Sequence, residues 1–249
     1  MTFRQKHEPS SFNDLIFKDP DVATILHQYA TGHRTKHLIL FGPKGSGKSS
    51  VAQMIIKSCL PNNFGDATTA PINGRTDRKR DNWGVIMNNW NFHLSQGGRG
   101  YAQIDEIDRY NDKQLDQLDQ FLEHDRLGTL IMTTNHLEEL DEWIVDRCAV
   151  VEVGRPTADN MVNRAHAILL SEGFKYSIEE VGIMLHGFSG SLRKMIEALE
   201  NHVFEKSSVP TSPLHQINTS GTSALPDQSL LPGNGAATPA ALTVGGKPA

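Results

Sequence analysis

His37-Leu-Ile-Leu-Phe-Gly-Pro-Lys-Gly-Ser-Gly-Lys-Ser-Ser50 is the stretch that decides how this sequence is read. Leu38 to Phe41 form an unbroken apolar run that ends at Gly42, and the pattern Gly42-x-x-x-x-Gly47-Lys48-Ser49 follows at once. That is the order of a buried parallel strand, a phosphate-binding loop and a helix start. The chemistry asks for these residue types. Gly42, Gly45 and Gly47 let the backbone turn through positive φ and bring its N–H groups up to phosphate oxygens. Pro43, Lys44, Ser46 and Ser50 complete the loop, and the N-terminus of the following helix adds a favourable dipole. Lys48 is placed to reach the β and γ phosphates, and the Ser49 hydroxyl to ligate Mg2+. Val51, Met54, Ile55 and Cys59 then recur at helical spacing.

Downstream, Gly100 to Ile104 is a second buried-strand candidate, and it runs into Asp105-Glu106-Ile107-Asp108-Arg109. A strand that ends in acidic residues delivers its carboxylates at the carboxyl edge of the sheet, where ligands of open α/β sheets lie. With a phosphate loop upstream, one carboxylate holds magnesium and the next polarises the attacking water. Thr129 to Asn135 is the third strand and Ala149 to Val153 the fourth, while Ala70 to Asn73 is at most a short strand. Helices are predicted from Asp19-Pro20 to near Gly32, over Trp83 to Leu94, over Leu115 to Glu123 and over Leu137 to Val145, with Met1 to Ser11 irregular.

Gly154-Arg155-Pro156 breaks the chain. The segment from Thr157 to Lys206 reads as three helices without a strand, a small helical domain on the α/β body. From Ser207 the composition turns to Ser, Thr, Pro, Gly and Ala, and the only charged residues are Asp227 and Lys247. Such a segment cannot bury enough apolar surface to offset the entropy of ordering, so a disordered tail is expected. Gln228-Ser-Leu-Leu231 within it resembles the Gln-and-Leu peptides that dock on bacterial sliding clamps, or is plain linker.

Hydrophobic content of 38% and charged content of 21% are those of an ordinary soluble protein. No apolar run approaches the roughly 20 residues a spanning helix needs, and the N-terminus has no signal-peptide core. Cys59 and Cys148 are isolated, which argues against a disulfide framework or a zinc site and makes the cytoplasm the default location. A net charge of −5 excludes coating of nucleic acid by bulk charge alone. Arg75, Arg78, Lys79 and Arg80 form a local basic cluster, either a solvated loop or a nucleic-acid contact.

The order of these parts resembles the AAA+ ATPases, and among them most the clamp-loader subunits of DNA replication, including those of tailed phages. The resemblance runs from Gln5 to Lys206. It implies an α/β fold: a P-loop parallel αβα sandwich over residues 1–155, a small all-α lid over 156–206 and a disordered C-terminal tail over 207–249. It further implies ATP and Mg2+ as cofactors, with Asp105 as metal ligand and Glu106 as general base. The same resemblance implies that Asn73 restrains Glu106 until a partner binds. Asn135 takes the place of sensor 1, against the γ phosphate or the attacking water, and its plain alternative is a strand cap. Arg147 matches the arginine that completes a neighbouring subunit's site, or is a surface arginine paired with Asp146. Arg193, in Gly190-x-Leu-Arg, resembles sensor 2 reaching from the lid. Gln5-Lys6-His7-Glu8-Pro9, with Ser11-Phe12 and Ile16, is similar to the N-terminal Glu-Lys-Tyr-Arg-Pro motif that packs beside adenine, with His7 and Glu8 in place of Tyr and Arg.

The partners implied are other AAA+ subunits, DNA and a sliding clamp, with no membrane. The family carries a third helical domain where this chain has its tail. The first functional reading is therefore a clamp-loader ATPase that hydrolyses ATP at subunit interfaces. A helicase loader or a transposition or recombination ATPase is the second, and an ATP-gated assembly or binding module the third.

Overall fold

The computed structural model describes residues 1–60, 72–73, 82–123, 126–188 and 190–207. The basic cluster at Arg75 to Arg80, the loop expected over Pro61 to Thr69, the tail beyond Ser207 and its Gln228 to Leu231 segment lie outside the described residues.

Among the described residues, β1 (Leu38–Phe41), β2 (Ile72–Asn73), β3 (Gly100–Asp105), β4 (Gly128–Thr134) and β5 (Ala149–Glu152) form one sheet in the order β2-β3-β4-β1-β5. Every pairing in it is parallel. β1 and the middle of β4, Leu130 to Met132, are continuous apolar runs because helices cover both faces. Leu38, Leu40 and Ile131 pack against α2 (Pro20–Ala30) and α3 (Lys48–Cys59). Ile39, Ile104, Leu130 and Met132 point the other way, into α4 (Asn82–Ser95), α5 (Asp112–Leu122) and α6 (Glu142–Arg147). α2 and α5 begin where side chains satisfy the first orphan N–H groups. Asp19 accepts from Asp21 N–H ahead of α2, and Asn111 with Gln114 forms a reciprocal cap on α5.

One core contact sets a steric limit. The Trp90 indole is fully buried, and Gly100 and Gly128, paired in register at the start of β3 and β4, lie directly under it. A Cβ at either glycine would run into the ring. Gly128→Ala is therefore expected to cost about 1–3 kcal/mol by overpacking, read as a lower urea midpoint with an unchanged slope; an unaltered midpoint would refute this packing.

The N-terminus departs from expectation. Phe3–Lys6 forms a one-turn helix, α1, closed by a capping box between Thr2 and Gln5, where the sequence reading placed an irregular segment. Its stability comes from a tertiary contact, since Phe3 packs into the core of the C-terminal helices. Those helices are α7 (Ala158–Ser171), α8 (Ile178–Leu185) and α9 (Leu192–Ser207). They enclose a cluster that includes Met161, Leu169, Val181, Met195 and Leu199. The stretch predicted as one helix over Leu137 to Val145 is a 3-10 turn at Leu137–Glu139 followed by α6, whose last residue is Arg147. No helix among the described residues is long and apolar enough to cross a membrane.

Candidate nucleotide-binding site

The carboxyl ends of β1, β3 and β4 converge on a cleft of about 270 Å3. The phosphate-binding loop forms its floor, and Glu106, Thr133, Asn135 and Arg193 contribute to its walls. Gly42, Gly45 and Gly47 have φ of 138°, 80° and 101°, conformations that side-chain-bearing residues rarely adopt. Space is also short there. A Cβ on Gly42 would lie 2.5 Å from the Val153 carbonyl oxygen, and one on Gly45 2.7 Å from Ser191 Cβ. The loop is thus held between the end of β5 and the start of α9, and Leu192 N–H donates to the Gly45 carbonyl at 3.2 Å.

Lys48, 7% exposed, opens α3. Its Nζ donates to Gly42 O at 2.8 Å, Pro43 O at 3.1 Å and Asn135 Oδ1 at 2.9 Å. Three acceptors match the three hydrogens of an ammonium. Burial pushes the amine's pKa down, and the Asp105 and Asp108 carboxylates oppose that shift. Asn135 therefore stands at the end of β4 beside the loop lysine, which brings two of the expected residues together.

Ser49 and Asp105 form the second corner. Ser49 Oγ donates to Asp105 Oδ1 at 3.0 Å, and Thr133 Oγ donates to the same oxygen at 2.8 Å. Thr133 Oγ also accepts Glu106 N–H at 3.3 Å, so one buried hydroxyl ties both acidic residues to β4. Glu106 sits at φ 55°, ψ 53°, the only positive-φ non-glycine among the described residues. That conformation costs of order 1 kcal/mol or more, and here it turns Glu106 into the cleft. Asp108 fixes the following turn, accepting from Thr134 Oγ at 2.7 Å and pairing with Arg109 Nε at 3.1 Å. Asn73 stands opposite Asp105 in the sheet register.

A glycine-rich loop at a helix N-terminus suits phosphate, and a hydroxyl beside a carboxylate is a hard-oxygen set suited to Mg2+. The residues present therefore fit Mg-ATP. Among the described residues His136, Glu138 and Glu139 also lie close together, but they are more exposed and off this cleft.

The N-terminal segment closes the cleft's other end. His7, Glu8, Pro9, Leu15 and Ile16 line it. His7 Nε2 lies 2.5 Å from Glu172 Oε1, and Lys6 Nζ 2.9 Å from it. Hydrogen bonds from Lys6 and His7 hold the Glu172 carboxyl below its usual pKa. Arg164 of α7 donates to His7 O at 3.0 Å and to Asp14 Oδ1 at 3.3 Å. Burial would raise the Asp14 pKa, but hydrogen bonds from Ser10 and Ser11 and the Arg164 charge outweigh it and bring the group to about 2. Arg164, Asp14, Thr133 and Gln103 were not singled out from sequence. For Gln103 a signal existed: it is polar inside an apolar strand, two residues before Asp105, hence on the same face.

Arg147 is not in the cleft. At the end of α6, 37% exposed, it pairs with Asp119 Oδ1 at 3.3 Å and Glu123 Oε1 at 3.6 Å on α5, and it lies 5.5 Å from the Trp143 ring centre. The expected alternative of pairing with Asp146 is corrected: the helix turn sends the two side chains apart, and α5 supplies the carboxylates.

Sheet order, phosphate loop and acidic strand end together define an AAA-type nucleotide-binding domain. The model of the ATPase family associated with various cellular activities (AAA) matches residues 38–155. Replication factor C subunit 4 of Caenorhabditis elegans is 23% identical over 81% of this chain and 62% of its own length. Replication factor C small subunit of Halobacterium salinarum is 24% identical over 79% and 61%. DNA polymerase III subunit gamma of Buchnera aphidicola is 25% identical over 80% and 59%. Residues 38–155 are thus an AAA domain, and the chain is similar to replication factor C and DNA polymerase III gamma subunits, of whose length it spans about three-fifths. In fold it is similar to the Thermotoga maritima RuvB Holliday junction branch migration motor, with a TM-score of 0.58 at 18% identity over 80% of this chain and 65% of that one. It is also similar to the FIGL-1 AAA domain solved with ADP, with a TM-score of 0.60 at 16% identity over 80% and 74%.

Proposed function

We propose that this chain is a Mg-ATP-hydrolysing subunit of a clamp-loader-like assembly that acts on DNA in replication, and that its active sites are shared between neighbouring subunits. The observation that carries the reading is the division of the expected residues. Lys48, Ser49, Asp105, Glu106 and Asn135 converge on one cleft, while Arg147 sits on the surface outside it.

In the proposed reaction, loop N–H groups and Lys48 hold the β and γ phosphates. Ser49 and Asp105 would hold Mg2+, which supplies charge neutralisation at the phosphates. Glu106 accepts a hydrogen bond from water and directs it in line at the γ phosphorus, giving ADP and phosphate. Asn135, already fixed to Lys48, orients that water or the γ phosphate. Arg193 reaches the γ phosphate from α9, so the α7–α9 unit works as a lid, with the start of α9 resting on the loop. Arg147 completes the site of the adjoining subunit. Other AAA+ subunits, DNA and a sliding clamp are the partners this reading requires, in the cytoplasm.

Steady-state ATP hydrolysis measured over a range of protein concentrations, with and without primed-template DNA, tests it. Per-subunit activity is expected to rise with concentration and to rise again with DNA, and a clamp should stimulate it further. Activity flat in both variables would overturn the shared site and the DNA-directed role.

A further inference from the structure

β3 reads Gly100-Tyr-Ala-Gln-Ile-Asp105, and the strand's period of two puts Gln103 on the face of Asp105. Gln103 is 3% exposed. Its Nε2 donates to both Asp105 oxygens, at 3.2 Å and 3.1 Å, and approaches the Ser49 carbonyl oxygen at 3.3 Å. Its Oε1 is buried and has no hydrogen-bond partner among the described residues. A buried acceptor without a donor is destabilising, whereas an apolar side chain of similar volume would carry no such penalty. Its neighbours on this face, Tyr101 and Ile131, are apolar core, so packing alone would accept an apolar side chain here.

The amide's work is at its other end. Asp105 Oδ1 receives Ser49, Thr133 and Gln103, and Oδ2 receives Gln103. Rotation of the carboxylate about its bond would break the double contact with Gln103. The same NH2 group reaches the first turn of α3 through Ser49 O, so it spans the two residues that would hold the metal. We propose that Gln103 is a positioning residue that orients Asp105 toward Ser49 and thereby sets the affinity of the nucleotide-loaded site for Mg2+. It is not among the residues that line the cleft. The inference rests on the Mg-ATP reading above.

The test uses the full chain and Gln103→Met, a substitution close in volume. Binding of a fluorescent ATP analogue is titrated with Mg2+, and thermal midpoints are recorded without ligand. In the variant the half-saturating Mg2+ concentration is expected to rise about tenfold or more, as loss of a residue orienting a metal ligand commonly does. Metal-free nucleotide affinity should be unchanged, and the midpoint equal or higher. An unchanged Mg2+ requirement overturns the inference, and so does a lowered midpoint with no change in that requirement, which would make Gln103 purely structural. If the wild-type chain itself shows no Mg2+-dependent binding, the Mg-ATP reading fails; if it does and Gln103→Met matches it, only the role of Gln103 fails.

Discussion

Glu106→Gln is expected to yield a protein that binds ATP as the wild type does but hydrolyses it at least about a hundredfold more slowly, the loss typical of removing a positioned general base. The structure makes this a clean substitution. The contact that shapes the turn is made by the Glu106 backbone, whose N–H donates to Thr133 Oγ, and glutamine keeps that N–H. The metal corner is built from Ser49, Asp105, Thr133 and Gln103 and does not use the Glu106 side chain. What changes is one oxygen replaced by an NH2 that cannot accept a proton. Nucleotide binding followed by equilibrium fluorescence and turnover followed by phosphate release give the two readouts. Unaltered turnover would mean that Glu106 does not activate water, and its left-handed backbone would then need another explanation.

The phosphate loop and its strand were legible because glycine spacing carries chemistry that few other patterns share. Strand positions were legible because a sheet covered on both faces writes itself as apolar runs such as Leu38 to Phe41 and Leu130 to Met132. The order β2-β3-β4-β1-β5 was not, since spacing along a chain does not fix which strands are neighbours. α1 was missed for a related reason. A one-turn helix has almost no stability of its own, and the packing of Phe3 against residues more than 150 positions away decides it. Its local signature, Thr2 three residues before Gln5, was present but short. The cleft brings together expected residue types that have a fixed position relative to the loop or a strand end, while the residues that hold them were not expected. Gln103 is a polar residue inside an apolar strand, and its meaning depends on the rotation of one carboxylate. Arg164 and Glu172 hold the N-terminal segment from a different part of the chain, and Asp119 and Glu123 face Arg147 only because α5 and α6 pack side by side.

Arg147→Ala is expected to leave ATP binding by a single subunit intact and to lower hydrolysis by the assembled protein about a thousandfold, the lower end of what an arginine finger supplies to phosphoryl transfer. The cleft proposed to bind nucleotide contains no part of Arg147, so a defect in binding would sink the in-trans role. Misfolding is a poor competing explanation, because the side chains of Arg147, Asp119 and Glu123 are about half exposed and pairs near the surface contribute about 0–1 kcal/mol. The same weakness would let the guanidinium leave α5 for a neighbour's phosphates at little cost in the proposed assembly. Mixing makes the experiment decisive. Arg147→Ala subunits keep an intact Glu106, and Glu106→Gln subunits keep an intact Arg147. Where two such subunits adjoin in the right order, one supplies the base and the other the arginine, and that interface is complete. Recovery of hydrolysis on mixing two nearly inactive proteins is the expected result, rising with total protein concentration. A mixture no more active than the sum of its parts would show that base and arginine must belong to one chain, and the surface position of Arg147 would then exclude it from the reaction.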